Sequence, residues 1–456
     1  MQITTIILAA GKGTRMRSEL PKVMHKIAGK SLLEHVYQTS KQIPGNAIKV
    51  VIGHGADFIR EKLSYLDVCW VEQLEQLGTG HAVQQAAGQI GDDDIVLVVY
   101  GDVPLLKFST LQNLLGLSSQ ESLALLTVNL DNPTGYGRII RDGNGRVQKI
   151  VEQKDATPSE LAITEVNTGI MAVNGQKLKK WLAQLGNNNA QGEYYLTDVV
   201  AMAATDGVLV STCQPQTGNE VLGVNNRLQL SGLERLFQQG QAEMLMEQGV
   251  TLRDPLRFDL RGTITQLGQD IEIDVNVILE GEIKLGNNVS IGANTQIKNA
   301  VIGDNVEIFA NCVIEDAVVG ANSRIGPFAR LRPGTVLAKE AHIGNFVELK
   351  NAIVAENSKI NHLSYIGDAN VGSHVNIGAG TITCNYDGVN KSRTVIGDGA
   401  FIGSSSQLVA PVTVGANATI GAGSTITKDC PDNQLTLARS KQVTLSGWQR
   451  PVKKDA

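Results

Sequence analysis

Two stretches of the chain gather residues that can do chemistry. The first runs Leu8-Ala9-Ala10-Gly11-Lys12-Gly13-Thr14-Arg15-Met16 and leads to Pro21-Lys22. A glycine-rich turn after an apolar run exposes backbone N–H groups, and Arg15 and Lys22 add fixed positive charge, which suits a nucleoside triphosphate. Neither standard phosphate pattern fits: Met16 stands at the third glycine position of G-x-G-x-x-G, and no G-x-x-x-x-G-K-[ST] occurs. The second stretch comprises Arg330-Leu331-Arg332-Pro333-Gly334 with Lys350, then His362-Leu363-Ser364-Tyr365 with Asn376, Asn385-Tyr386 and Lys391. An amine must be neutral to attack a thioester, and a histidine suits the role of base near neutral pH. Read alone, His362 is more often a surface or coil-corner histidine than a base, and no Asp or Cys at ligand spacing gives it a metal role. His25, His35, His54, His81, His342 and His374 carry no comparable argument.

The elements that must position these residues are of two kinds. Up to about residue 226, short β-rich runs such as Thr4 to Leu8 and Ile48 to Ile52 alternate with helical stretches such as Leu32 to Ile43. This predicts an α/β domain with a mostly parallel sheet. Ile95 to Tyr100 is a buried-strand run that ends in Gly101-Asp102-Val103-Pro104, so Asp102 falls at a strand's carboxyl end, where open α/β sheets bind ligands. Leu230, Leu233, Phe237 and Met244 predict an amphipathic connecting helix over 227–249, weakened somewhat by Gly232 and Gly240.

From 250 to 437 an aliphatic residue recurs every six positions, most clearly at Ile396, Ile402, Leu408, Val414, Ile420 and Ile426. Three such steps close a triangular coil, which predicts a parallel β-helix of roughly ten coils. The small-residue corners of such a coil explain why the chain holds 48 glycines but only 4% aromatic residues. Residues 438–456 lose the repeat and form a basic tail around Trp448.

The 456 residues are 42% hydrophobic and 19% charged, with formal net charge −5, which argues against a general nucleic-acid binder. Five scattered cysteines without a C-x-x-C pair read as reduced thiols of a cytoplasmic protein. No signal peptide and no apolar run of about 20 residues is evident, so membrane insertion is not expected.

The string G-x-G-T-R-M followed by P-K resembles the sugar-nucleotide pyrophosphorylase family. Further matches are Glu75 to Ala82, Tyr100 to Pro104, Gly135 to Arg138, Val151-Glu152, Glu165 to Gly169 and Gly223 to Asn226. Over nearly the full chain the resemblance is closest to the bacterial bifunctional family that joins an N-acetylglucosamine-1-phosphate uridyltransferase to a glucosamine-1-phosphate acetyltransferase. It implies a Rossmann-like mixed sheet joined by a helix to a left-handed β-helix of hexapeptide repeats. It also implies UTP, acetyl-CoA and Mg2+, and a homotrimer formed through the β-helix. Carried over, Leu8, Ala9, Ala10, Gly11, Gln73, Gly78 and Thr79 hold uracil and ribose, with Tyr100 and Gly101 beside them. Gly137, Glu152 and Asn167 face the acetylated sugar; Arg15 and Lys22 neutralise the triphosphate; Asp102 and Asn225 bind Mg2+. In the repeat region, Arg332 and Lys350 hold the sugar phosphate. Tyr365, Asn376, Asn385, Tyr386 and Lys391 position the sugar around the base His362, with Asn385 and Tyr386 also reaching acetyl-CoA. Ala379, Ser404, Ala422 and Arg439 are the remaining acetyl-CoA contacts. Two alternatives remain: a nucleotidyltransferase with a scaffold β-helix, and a non-catalytic regulatory subunit.

Overall fold

The computed structural model describes residues 2–453 and divides into two compact units, Met1–Phe237 and Gln238–Ala456. The N-terminal unit is built on a mixed sheet whose main path runs Leu209–Cys213, Ser122–Asn129, Glu165–Asn174, Ile95–Tyr100, Ile3–Ala9, Asn46–Ile52, Cys69–Glu72. Glu165–Asn174 is antiparallel to both its neighbours, and the other pairs on this path are parallel. The central strand Ile95–Tyr100 is an almost wholly apolar run, as expected of a strand covered on both faces. Alternation divides the central strands: Ile7, Ile95, Leu97 and Val99 enter one core, and Ile6, Leu8, Val96 and Val98 the other.

A third, smaller cluster gathers Met16, Ile27, Ala28, Leu32, Val224 and Leu233. Met16 is 1% exposed, so the methionine of the glycine-rich string is an apolar anchor that pins the loop while Arg15 stays outside. The helix Arg227–Glu247 begins at Asn226, whose side-chain oxygen accepts from the Gln229 N–H at 2.9 Å. The division between the units falls inside this helix. In the C-terminal unit, buried Gln238 donates to the Leu260 carbonyl and accepts from the Leu260 N–H, at 3.2 and 2.8 Å, tying the helix to the strand Phe258–Leu267.

The C-terminal unit is a parallel β-helix. Its strands lie in one 11-stranded and one 14-stranded sheet, and short strands such as Val318–Val319 and Val336–Leu337 branch from the second to make a third face. Successive rungs pair in register at offsets of 17 or 18 residues, as in Glu272↔Ser290, Ser290↔Glu307 and His342↔Lys359. The offset widens at Asn376↔Phe401, where the loop Asn385–Ser392 breaks the repeat. The inward positions make a column of Ile273, Ile291, Ile308, Ile325, Ile343, Ile360, Ile377, Ile402 and Ile420, all buried. Each such side chain contributes roughly 1.5–3 kcal/mol of burial. Corners are turned in the left-handed region by Asn288, Asn305 and Asn322, whose amides hydrogen-bond from rung to rung at 3.1 and 3.0 Å.

Rungs approach closely where the repeat places glycine. A Cβ on Gly344 would collide with the Asn361 carbonyl of the next rung. Gly344→Ala is therefore expected to destabilise the repeat unit by more than about 1 kcal/mol, measured as a lowered denaturant midpoint; an unchanged midpoint would refute the close approach.

Candidate functional sites

In the N-terminal unit, parallel pairing of Ile3–Ala9 with Ile95–Tyr100 and Asn46–Ile52 brings their carboxyl ends to one edge. A cleft of about 510 Å³ opens there, lined by Leu8, Ala9, Ala10, Gly11, Lys22, Gln73, Gly78, Thr79, Tyr100 and Asp102 among the expected residues. Gln76 and Glu193 also line it; nothing in the glycine-loop pattern singled them out. Gly13 is left-handed at φ 60°, and a Cβ there would sit 2.7 Å from Lys22 Cβ, so the loop folds directly onto Lys22. Gly78 takes φ 113° with the Tyr194 carbonyl 2.6 Å from where a Cβ would stand, and buried Gln73 donates to the Gly78 carbonyl at 3.1 Å.

Of the expected charged and metal-binding residues, Lys22 and Asp102 line the cleft, and Arg15 and Asn225 do not. Lys22 is paired with Asp102, and Arg15 donates to Asn225 Oδ1 at 3.0 Å. Asn225 is brought there because the next-door Val224 N–H donates to the Asp102 carbonyl at 3.0 Å. Asn226 caps the helix, which leaves the Asn225 side chain for Arg15. Among the described residues no group of three or more His, Cys, Asp or Glu gathers as a metal site. Asp102 and Asn225 are hard oxygen donors, each already facing a cationic group, and they suit a mostly hydrated Mg2+ completed by phosphate oxygens.

Gly137, Glu152 and Asn167 lie outside the set of residues lining that cleft. The Asn167 N–H donates to the Gly137 carbonyl at 2.8 Å, and the strand is irregular between Asn167 and Met171, where Gly169 passes against the Tyr100 ring. Glu152 lines a second cavity of about 420 Å³ with Asp155, Tyr195 and Asp198 and accepts from Thr197 Oγ1 at 3.1 Å. Burial raises the Glu152 carboxyl above its usual range; the Thr197 bond opposes this, and the charges of Asp155 and Asp198 reinforce it.

In the repeat unit, His362 lies in register with Asn345 on the rung before, and its Nδ1 is 3.0 Å from Asn345 Oδ1. An amide oxygen only accepts, so Nδ1 carries the proton and Nε2 is left as the basic nitrogen. Arg332 pairs with Glu348 at 2.8 Å. The neighbouring Lys391 lowers the Lys350 pKa. Tyr365 folds over Gly367; Asn376 sits one rung on from Lys359; exposed Tyr386 pairs with Lys391 across the inserted loop. Ala379, Ser404 and Ala422 each follow by two residues the register partners Ile377, Ile402 and Ile420, so they form one column. Arg439 reaches this column by donating to the Ala422 carbonyl at 2.7 Å.

Family models match residues 5–149 as a MobA-like NTP transferase domain, 264–362 as a GMPPB C-terminal domain and 393–428 as six repeats of the bacterial transferase hexapeptide. The bifunctional protein GlmU of Methylococcus capsulatus is 61% identical over 453 residues, covering 99% of this chain and 98% of that protein. The chain belongs to the GlmU family. A solved nucleotidyl transferase from Methanothermobacter matches at 18% identity over 52% of this chain and 99% of its own, with a TM-score of 0.39.

Within this GlmU-family chain, Asn345, Glu348 and Asp368 touch the expected acetyl-transfer residues, yet the repeat pattern alone did not single them out. The signal that finds them is a spacing near one rung: Asn345 is 17 residues before His362, and Asp368 is 17 before Asn385.

Because burial raises the Glu152 carboxyl, the folded protein holds that proton more tightly than the unfolded chain. The resulting stability is full below the ordinary carboxylate range and is lost as pH rises through the raised folded value. Glu152→Gln removes that loss, since glutamine still accepts from Thr197. The variant is expected to match the parent in denaturant midpoint at about pH 4 and to exceed it at about pH 7; a gap that does not change with pH would contradict the shift.

Proposed function

We propose that this chain is a bifunctional enzyme of UDP-N-acetylglucosamine synthesis. Its repeat unit acetylates glucosamine 1-phosphate with acetyl-CoA, and its N-terminal unit then transfers uridylyl from UTP to N-acetylglucosamine 1-phosphate, releasing pyrophosphate. The product serves peptidoglycan and lipopolysaccharide precursors. The observation that carries this reading is the 61% identity to a bifunctional GlmU across 99% of the chain, with both polar constellations intact.

Uridylyl transfer needs alignment and charge neutralisation more than a side-chain nucleophile. A phosphate oxygen of the sugar phosphate attacks the α-phosphorus of UTP, and the bond to the β-phosphate breaks. Leu8 to Gly11, Gln73, Gly78 and Thr79 hold the nucleoside, and Gly137, Glu152 and Asn167 the acetylated sugar. Lys22 and Arg15 meet the charge that develops on the phosphates. Asp102 and Asn225 would hold Mg2+, which when bound supplies charge stabilisation to the triphosphate.

In acetyl transfer, His362 Nε2 takes a proton from the substrate amine as its nitrogen attacks the thioester carbonyl. The C–S bond breaks and coenzyme A leaves. Arg332 and Lys350 bind the sugar phosphate, Tyr365, Asn376 and Lys391 the sugar, and Asn385 and Tyr386 sit between it and the donor. The column of Ala379, Ser404 and Ala422 suits a narrow pantetheine arm along the rungs, with Arg439 beside it.

The reading includes a left-handed coil, a homotrimer and a cytoplasmic location, with functional boundaries at 226, 249 and 437. A second chain packed on the coil is supported by exposed Phe328, Phe346 and Leu363, one per rung, with the two phenylalanine rings stacked at 5.2 Å. No helix of the described residues is long and apolar enough to cross a membrane.

Two substitutions test the reading. Asp102→Ala should lower Mg2+-dependent pyrophosphate release by roughly 10²-fold or more and leave acetyl transfer intact. His362→Ala should lower release of coenzyme A thiol by about 10²–10⁴-fold and leave uridylyl transfer intact. Undiminished thiol release from the His362 variant would make the β-helix a scaffold; no turnover of either kind in the parent would make the chain a regulatory subunit.

A further inference from the structure

Asp368 is a carboxylate where the fold does not require one. It is 8% exposed and turns a corner in the left-handed region at φ 46°. It takes Asn351 Nδ2 on Oδ1 at 2.6 Å and Asn385 Nδ2 on Oδ2, so both oxygens are committed to amides one rung before and one rung after. The same three-rung ladder is built from amides alone at Asn288, Asn305 and Asn322. Asp304 and Asp316, which accept from asparagines in comparable pairs, are not buried. Burying a carboxylate costs free energy that an amide at this corner would avoid, unless nearby cations compensate it.

Those cations are Lys350 and Lys391. Burial by itself would raise the Asp368 pKa, and the two asparagine bonds together with the two lysine charges bring it below its usual value. Asn351 directly follows Lys350. Asn385 roots the loop that carries Lys391: the Ser392 N–H donates to the Asn385 carbonyl at 2.9 Å, and Tyr386 bridges Lys391. One buried carboxylate thus grips the neighbours of both lysines. With one of its two Nδ2 hydrogens held by Asp368, the Asn385 amide is fixed in orientation and keeps Oδ1 as an acceptor, which suits the N–H of an amine.

We propose that Asp368 is a positioning residue for acetyl transfer, setting Lys350 of the phosphate site beside Lys391 of the sugar site and turning the Asn385 carbonyl toward the attacking amine. This role rests on the reading of the repeat unit as an acetyltransferase.

Asp368→Asn isolates the charge. Asparagine tolerates the left-handed corner as aspartate does, and it converts the rung to the all-amide ladder that the coil already contains. In the full-length protein the unfolding midpoint and uridylyl transfer are expected to stay as in the parent. For acetyl transfer, kcat should fall about tenfold or more, while KM for glucosamine 1-phosphate does not rise, since a negative charge has been removed beside a bound phosphate. An unchanged kcat would overturn the proposal. A loss of activity that only follows a lowered midpoint would overturn it too, leaving Asp368 structural. Absence of acetyl transfer in the parent would instead sink the underlying reading, and this role with it.

Discussion

Parallel, in-register pairing of backbone is the constraint on which both sites depend. In the N-terminal unit it aligns Leu8 with Tyr100 and Val51, so that strand ends, the glycine-rich loop and Asp102 meet at one edge. In the repeat unit it stacks each rung on the last, and polar side chains one rung apart become neighbours. The hydrogen bonds that make the sheets therefore also decide which functional groups face one another. A one-residue slip in either unit would turn each aligned side chain to the opposite face.

Both sites use fixed opposite charge, at different depths. Lys22 and Asp102 pair in the lining of the N-terminal cleft, and Arg15 meets Asn225 outside that lining. At Asp368 the carboxylate is buried beneath the cations and committed to two amides. In the proposed function the first arrangement binds and the second sets geometry. Glu152 is a third case, a carboxyl whose pKa is raised by burial and by the charges of Asp155 and Asp198.

The sequence disclosed whatever is local or strictly periodic. The six-residue register located inward residues from Ile396 to Ile426, and Ile95 to Tyr100 read correctly as a buried strand with Asp102 just past its end. The glycine-rich string was legible as a loop, although its Met16 proved to be an anchor for that loop. Partners set by rung offset were harder to see. Asn345, Glu348 and Asp368 are ordinary polar residues until a coil places them against His362, Arg332 and Asn385. The environment of Glu152 was equally hidden, because Asp198 reaches it from a distant segment.

The central claim is that one chain holds two sites that work independently in succession. Mixing the Asp102→Ala and His362→Ala proteins with glucosamine 1-phosphate, acetyl-CoA, UTP and Mg2+ measures this directly. Neither variant alone should yield more than a trace of UDP-N-acetylglucosamine, and the mixture should form it, because the acetylated intermediate made by one protein is consumed by the other. A mixture that stays inactive, or either variant producing at the parental rate, would contradict the account.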